Sequence, residues 1–133
     1  MIYCLDTNIV IYALKQANPR LAKRLKSIKP ARIKIPEMVR AELLFGASKS
    51  SKRESVLKAV EAFLAPFEHL SFGADAVFHY AEIRRELEKK GKAIGPADLV
   101  IAATARAAGA VLVTHNTREF NRVPNLQTEE WTK

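Results

Sequence analysis

One cysteine, three histidines and no long apolar run set the first limits on this chain. Cys4 alone forms neither an internal disulfide nor a cysteine-cluster zinc site, and it suits a cytoplasmic protein. No two histidines stand at metal-ligand spacing. No segment approaches the roughly 20 apolar residues that a bilayer-spanning helix needs. The N-terminus lacks a basic stretch before its apolar residues, so no signal peptide is expected. Internal repeats and low-complexity segments are also missing. Acidic residues are scarce, 14 against 22 Lys and Arg, which leaves a formal net charge of +8. That excess favours a polyanionic partner, most simply nucleic acid, although a basic surface also serves solubility.

What is present fits one soluble domain over residues 1–133, with 48% apolar residues to build a core. Short apolar runs alternate with amphipathic ones. Met1 to Leu5 reads as a buried strand, and Asn8 to Leu14 as a helix capped by Asp6, Thr7 or Asn8. A basic helix follows Pro19, from Leu21 to Ile28. Ile33 to Ile35 is a strand, and Glu37 to Phe45 a helix that stops at Gly46. Ala47 to Arg53 reads as a polar loop, Glu54 to Leu64 as an amphipathic helix, and Leu70 to Phe72 as a strand. Ala74 to Lys90 and Pro96 to Ala108 are the last long helices, ended by Gly91 and Gly109. Ala110 to Val113 is a strand, and the tail from Val123 to Lys133 adds one edge strand. This alternation predicts an α/β fold with a mostly parallel central sheet flanked by helices. Parallel strands then place Asp6 and Thr114-His115-Asn116 on one edge of the sheet.

Four acids and one amide stand where chemistry is expected. Asp6 separates two apolar runs, where an unpaired carboxylate costs free energy, and it also fits a helix N-cap. Glu42 lies beside the apolar stripe of its helix. Asp98 occupies the first turn of the most apolar helix, where the helix dipole favours negative charge. Asn116 and Glu119 follow the Val111-to-Val113 strand and read equally as turn and surface residues. Taken together, the strand-end positions predict convergence. Carboxylates gathered in one pocket repel and raise one another's pKa, and a divalent cation removes that conflict. Oxygen ligands without cysteine or paired histidine favour Mg²⁺ or Mn²⁺ over Zn²⁺.

Leu5-Asp6-Thr7-Asn8, Ala41-Glu42-Leu43-Leu44 with Gly46, Ile94-Gly95-Pro96-Ala97-Asp98-Leu99 with Ile101-Ala102-Ala103, and Leu112-Val113-Thr114-His115-Asn116 with Glu119-Phe120 occur in this order. With them the chain resembles a PIN domain, and more closely the VapC toxins, the ribonuclease half of VapBC toxin–antitoxin pairs. The resemblance covers nearly the whole chain. It implies a compact α/β/α domain with Asp6, Glu42 and Asp98 as Mg²⁺-binding acids and Mn²⁺ as a possible substitute. The fourth position of the family is usually an aspartate and falls here on Asn116, whose amide orients a water but carries no charge. Glu119 matches a further acidic position. Thr7 and Thr114 match the small polar residues beside the first and last motifs.

The resemblance further implies endonucleolytic hydrolysis of RNA, with transfer RNA as substrate, 5′-phosphate and 3′-hydroxyl products, and inhibition of translation. It implies a homodimer and a VapB antitoxin lying over the active-site groove. Val56 to Phe67 and Val77 to Ile83 suit either a dimer surface or core. An acidic pocket does not attract RNA, so basic residues must supply the pull: Lys15, Arg20, Lys23, Arg24, Arg40, Lys49, Lys52 and Arg53 are the candidates. His115 reads as a loop histidine making a structural hydrogen bond, Cys4 as core filler, and Trp131 and Phe120 as packing for the tail. Two other readings stand beside the toxin: a nucleic-acid-binding module of this fold without catalysis, to which Asn116 lends support, and a related nuclease of RNA maturation or of DNA with no antitoxin.

Overall fold

The computed structural model describes all residues 1–133. Five strands form one sheet: β1 (Tyr3–Leu5), β2 (Ile33–Pro36), β3 (Glu68–Leu70), β4 (Val111–Val113) and β5 (Thr128–Glu129). Their order is β3-β2-β1-β4-β5 and every pairing is parallel. β1 and β4 are buried throughout, as expected of central strands in a parallel sheet. Seven helices connect and cover the strands: α1 (Thr7–Lys15), α2 (Pro19–Ser27), α3 (Glu37–Ser48), α4 (Arg53–Leu64), α5 (Ala74–Lys89), α6 (Pro96–Ala107) and α7 (Thr117–Phe120). No helix is long and apolar enough to cross a membrane.

Local chemistry sets most boundaries. Asp6 caps α1, its Oδ1 accepting from the Ile9 amide at 2.9 Å, and Asn18 caps α2 through the Leu21 amide at 3.0 Å. Gly91 and Gly109 follow α5 and α6 with φ of 66° and 65°, a left-handed turn that costs a glycine little. α6 buries Leu99, Ile101, Ala102, Ala103, Thr104 and Ala105, and the three alanines among them let it pack against α5 and the sheet.

Three expectations shift. α3 runs through Gly46 to Ser48, because Ala47 is buried and holds the final turn on the core. The third strand is Glu68–Leu70 instead of Leu70 to Phe72: pairing of Lys34 with Glu68 and Ile35 with His69 fixes the register, and a 3.1 Å ion pair joins Lys34 to Glu68. Phe72 is left 40% exposed. Finally, the loop after β4 contains the short α7, anchored by buried Phe120, and a 3₁₀ turn at Pro30–Arg32 precedes β2.

The chain leaves β1 toward β2 on one side and β4 toward β5 on the other. The carboxyl ends of β1 and β4 therefore flank the point where the winding reverses, the usual place for a ligand crevice in an open parallel sheet. Asp6 and Thr114 sit there.

Candidate active site

Asp6 follows β1 directly and is 5% exposed. Its amide donates to the Val113 carbonyl at 3.1 Å, which extends the β1–β4 pairing by one residue. Its Oδ2 accepts from the Thr114 hydroxyl at 2.5 Å. Thr7, the first residue of α1, donates its hydroxyl to Glu42 Oε1 at 2.5 Å and so orients the half-buried acid of α3. Asp98 stands in the first turn of α6, half-buried. Beyond β4, the Asn116 amide donates to Thr114 Oγ1 at 2.9 Å, and its side-chain Nδ2 donates to Glu119 Oε2 at 2.6 Å. Asn116 is thus both a turn residue and the orienter of the acid on α7.

These side chains sense one another's charge. Burial pushes the Asp98 carboxyl up to about 6, and the neighbouring Glu119, close enough to share a proton with it, adds to the rise, as do Glu42 and Asp6. Burial also lifts Asp6 above its ordinary value; hydrogen bonds from Thr114 and Ile9 oppose this, while Glu130 and Glu42 reinforce it. Asp98 thus stands within electrostatic reach of Glu119, Glu42 and Asp6, and Asp6 within reach of Glu42. No Lys, Arg or His forms an ion pair with any of the four.

Glu130 was not foreseen as part of this edge. It follows β5, which pairs with β4, and is close enough to raise Asp6. The signal was the Glu129-Glu130 pair at the end of an edge strand, visible only once β5 is known to lie beside β4. Burial pushes Glu130 up, but the Thr132 hydroxyl and amide and the His115 ring outweigh it and hold the carboxyl below its ordinary value. His115 Nδ1 lies 2.8 Å from Glu130 and 3.1 Å from the Thr132 hydroxyl, and its ring meets Tyr12 edge-on at 5.7 Å, so its hydrogen bonds are structural as expected.

In charge and donor type, though not in spacing, the site suits a cation. The donors are carboxylate oxygens without a protein counter-charge, the environment that hard divalent ions satisfy. No three His, Cys, Asp or Glu side chains are drawn in tightly enough to hold a metal ion as they stand. Burial first, and then its acidic neighbours, make Asp98 hold its proton to higher pH.

The basic candidates divide in two. Arg40 lies 3.7 Å from both Glu37 and Glu61, and Lys49 sits over the Phe45 ring at 4.5 Å. Lys52 and Arg53 are exposed where α4 begins. Lys15, Arg20, Lys23 and Arg24 lie toward the C-terminal tail, across α1 and α2. Trp131 packs on Tyr3 at 5.1 Å and is only 4% exposed, which removes it as a surface for stacking bases.

A parallel sheet whose winding reverses above an unpaired cluster of carboxylates is the architecture of a PIN domain, and the PIN domain family model matches residues 3–126. The chain is 45% identical to Ribonuclease VapC2 of Rickettsia felis over 134 aligned positions, covering all of both chains. It is 38% identical to the tRNA(fMet)-specific endonuclease VapC of Shigella flexneri, with 97% of each covered. The crystal structure of VapBC2 from Rickettsia felis bound to a promoter DNA fragment superimposes with a TM-score of 0.93 at 43% identity, covering 98% of this chain and 99% of that one. The chain belongs to the VapC family of PIN-domain proteins.

Proposed function

We propose that this chain is a divalent-cation-dependent endoribonuclease, the toxin half of a VapBC pair, which hydrolyses phosphodiester bonds in transfer RNA and so inhibits translation. The observation that carries this reading is the gathering of Asp6, Glu42, Asp98 and Glu119 at the β1–β4 crevice with no cation of the chain to neutralise them. Relatives named as ribonucleases and as a tRNA(fMet)-specific endonuclease support the substrate class.

Asp6, Asp98 and Glu42 would hold Mg²⁺, with Mn²⁺ as a substitute. A bound ion would supply charge at the scissile phosphate and a water of lowered pKa, chemistry expected to leave a 5′-phosphate and a 3′-hydroxyl. The chain's own groups set the arrangement. Thr114 and the Ile9 amide fix the Asp6 carboxylate, Thr7 fixes Glu42, and Asn116 turns Glu119 toward Asp98. Each of these bonds removes rotamer freedom before substrate arrives.

Two surfaces suit the expected partners. A hollow of about 420 Å³ between α1, α3 and α4, lined by Ile11, Leu14, Leu43, Val56 and Val60 with Glu42 at its border, suits an apolar segment of a VapB-type antitoxin. Such a segment would lie beside the acids and could offer them a basic side chain. On α5, Val77 and Phe78 are 49% and 67% exposed, an apolar patch that suits a second copy of the chain.

The deciding experiment is Asp6→Asn, assayed for cleavage of transfer RNA and for growth arrest on induction, with the parent assayed in EDTA and after adding back Mg²⁺ or Mn²⁺. The expected result is loss of both activities in the variant and reversible loss in the parent. Cleavage that survives chelation defeats the cation requirement. RNA binding without cleavage by the parent would favour the rival reading, a binding module, to which the amide at Asn116 lends its support.

A further inference from the structure

We propose that the groove between α2 and the C-terminal tail carries the RNA backbone away from the cleavage site, with Arg20, Lys23 and Lys133 as its phosphate contacts. The proposal rests on the ribonuclease reading and adds the direction in which the substrate runs.

The groove holds about 630 Å³ and is walled by Arg20, Lys23, Arg24 and Ser27 of α2 and by residues 129–131 and Lys133 of the tail. It contains two acids, and both are occupied. Glu129 Oε1 accepts from Arg24 at 3.1 Å and from Trp131 Nε1 at 2.8 Å. Glu130 is held by His115 and Thr132. Arg20, Lys23 and Lys133 take part in no ion pair, so their charge is free to meet an external anion.

The walls are fixed. Asn18 Nδ2 donates to the Thr132 carbonyl at 3.1 Å, and the Arg24 guanidinium lies over the Trp131 ring at 5.1 Å. A groove set before binding spends less of its interaction energy on ordering itself. A second hollow of about 370 Å³ shares Lys133 with the first and is lined by Tyr12, Lys15, Asn18 and His115, the last of which directly precedes Asn116 in the chain and so extends the groove toward the loop after β4. The two hollows together carry four cations that take part in no ion pair: Lys15, Lys133, Lys23 and Arg20. The other basic region offers less, because Arg40 is shared between two glutamates and Lys49 sits over the Phe45 ring.

The test compares Arg20→Ala/Lys23→Ala with Lys52→Ala/Arg53→Ala, all exposed positions whose truncation leaves the core intact. Cleavage of unfractionated transfer RNA is measured beside cleavage of a two-nucleotide RNA too short to enter the groove. Binding of transfer RNA is titrated against salt on an Asp6→Asn background. The groove variant should raise KM for transfer RNA about tenfold, lose close to one unit of salt slope per contact removed, and cut the short substrate as the parent does. Unchanged KM and salt slope, with the loss appearing in the Lys52/Arg53 variant instead, overturns the proposal. So does a groove variant that loses affinity only for an acidic antitoxin peptide or for duplex DNA. A parent that neither binds nor cuts RNA overturns the ribonuclease reading itself and the groove assignment with it.

Discussion

The Thr114 hydroxyl donates to Asp6 Oδ2 at 2.5 Å and joins the ends of two adjacent parallel strands across 108 residues of sequence. Thr114 Oγ1 itself accepts from the Asn116 backbone amide at 2.9 Å. One fully buried hydroxyl thus fixes both the first acid and the turn that carries the fourth position. Thr114→Val keeps the shape and removes the donor. A buried carboxylate oxygen left without its partner costs about 1–3 kcal/mol, read as a lower urea midpoint with unchanged slope. RNA cleavage should fall with it, because Asp6 is lifted further and loses its orientation. Thr114→Ser should restore most of both. A valine variant equal to the parent in stability and rate would remove Thr114 from the site.

Asp98 gives the protein a pH signature. Its folded carboxyl titrates at about 6, above the ordinary 3.8, so the ionised form is disfavoured by folding. The stability linked to it is complete below the ordinary value and is lost as pH rises through about 6. Asp6 shifts in the same direction. Glu130, held below its ordinary 4.5, has the opposite sign: its stability is present above 4.5 and is lost as pH falls. In EDTA, the melting temperature should therefore fall between pH 5 and pH 7. Mg²⁺ should raise it most at pH 7, where it need not displace the proton. A cation effect equal at both pH values would contradict this.

The exposed α5 patch predicts association. Phe78→Glu places a charge where a second copy would bury it and should shift the protein from dimer to monomer in sedimentation equilibrium. The melting temperature should become independent of protein concentration. A monomeric parent would remove the dimer reading.

The sequence carried the acids because strand ends and helix starts are local features. Asp6 between two apolar runs, and Asp98 before an Ala-rich helix, are visible one residue at a time. It did not carry Glu130, because only the pairing of β5 with β4 brings that residue to Asp6, and two residues of strand leave almost no period to read. Nor did it place β3, whose register rests on Lys34 meeting Glu68 from another part of the chain. Gly46 misled for the opposite reason: its local preference to end a helix is outweighed by burial of Ala47 one residue later. The basic residues were legible as a list but not as a path. Whether an arginine is free, as Arg20 is, or shared between Glu37 and Glu61, as Arg40 is, depends on folding.

Asn116→Asp asks what the missing fourth acid costs. In the parent, the amide donates to Glu119 at 2.6 Å and so quiets one member of the cluster. An aspartate there loses the donor and sets a like charge beside Glu119, while Asp98 already carries a raised carboxyl. In EDTA the variant should be less stable by about 1–2 kcal/mol, in line with the loss of a charged hydrogen bond at an exposed position. Mg²⁺ should restore that stability, because the added carboxylate is a further oxygen donor. Cleavage should then require less Mg²⁺ for half-maximal rate than in the parent. If the variant needs the same Mg²⁺ and melts at the same temperature in EDTA, the carboxylates of Asp6, Glu42 and Asp98 are sufficient, and Asn116 serves only to turn the chain into α7.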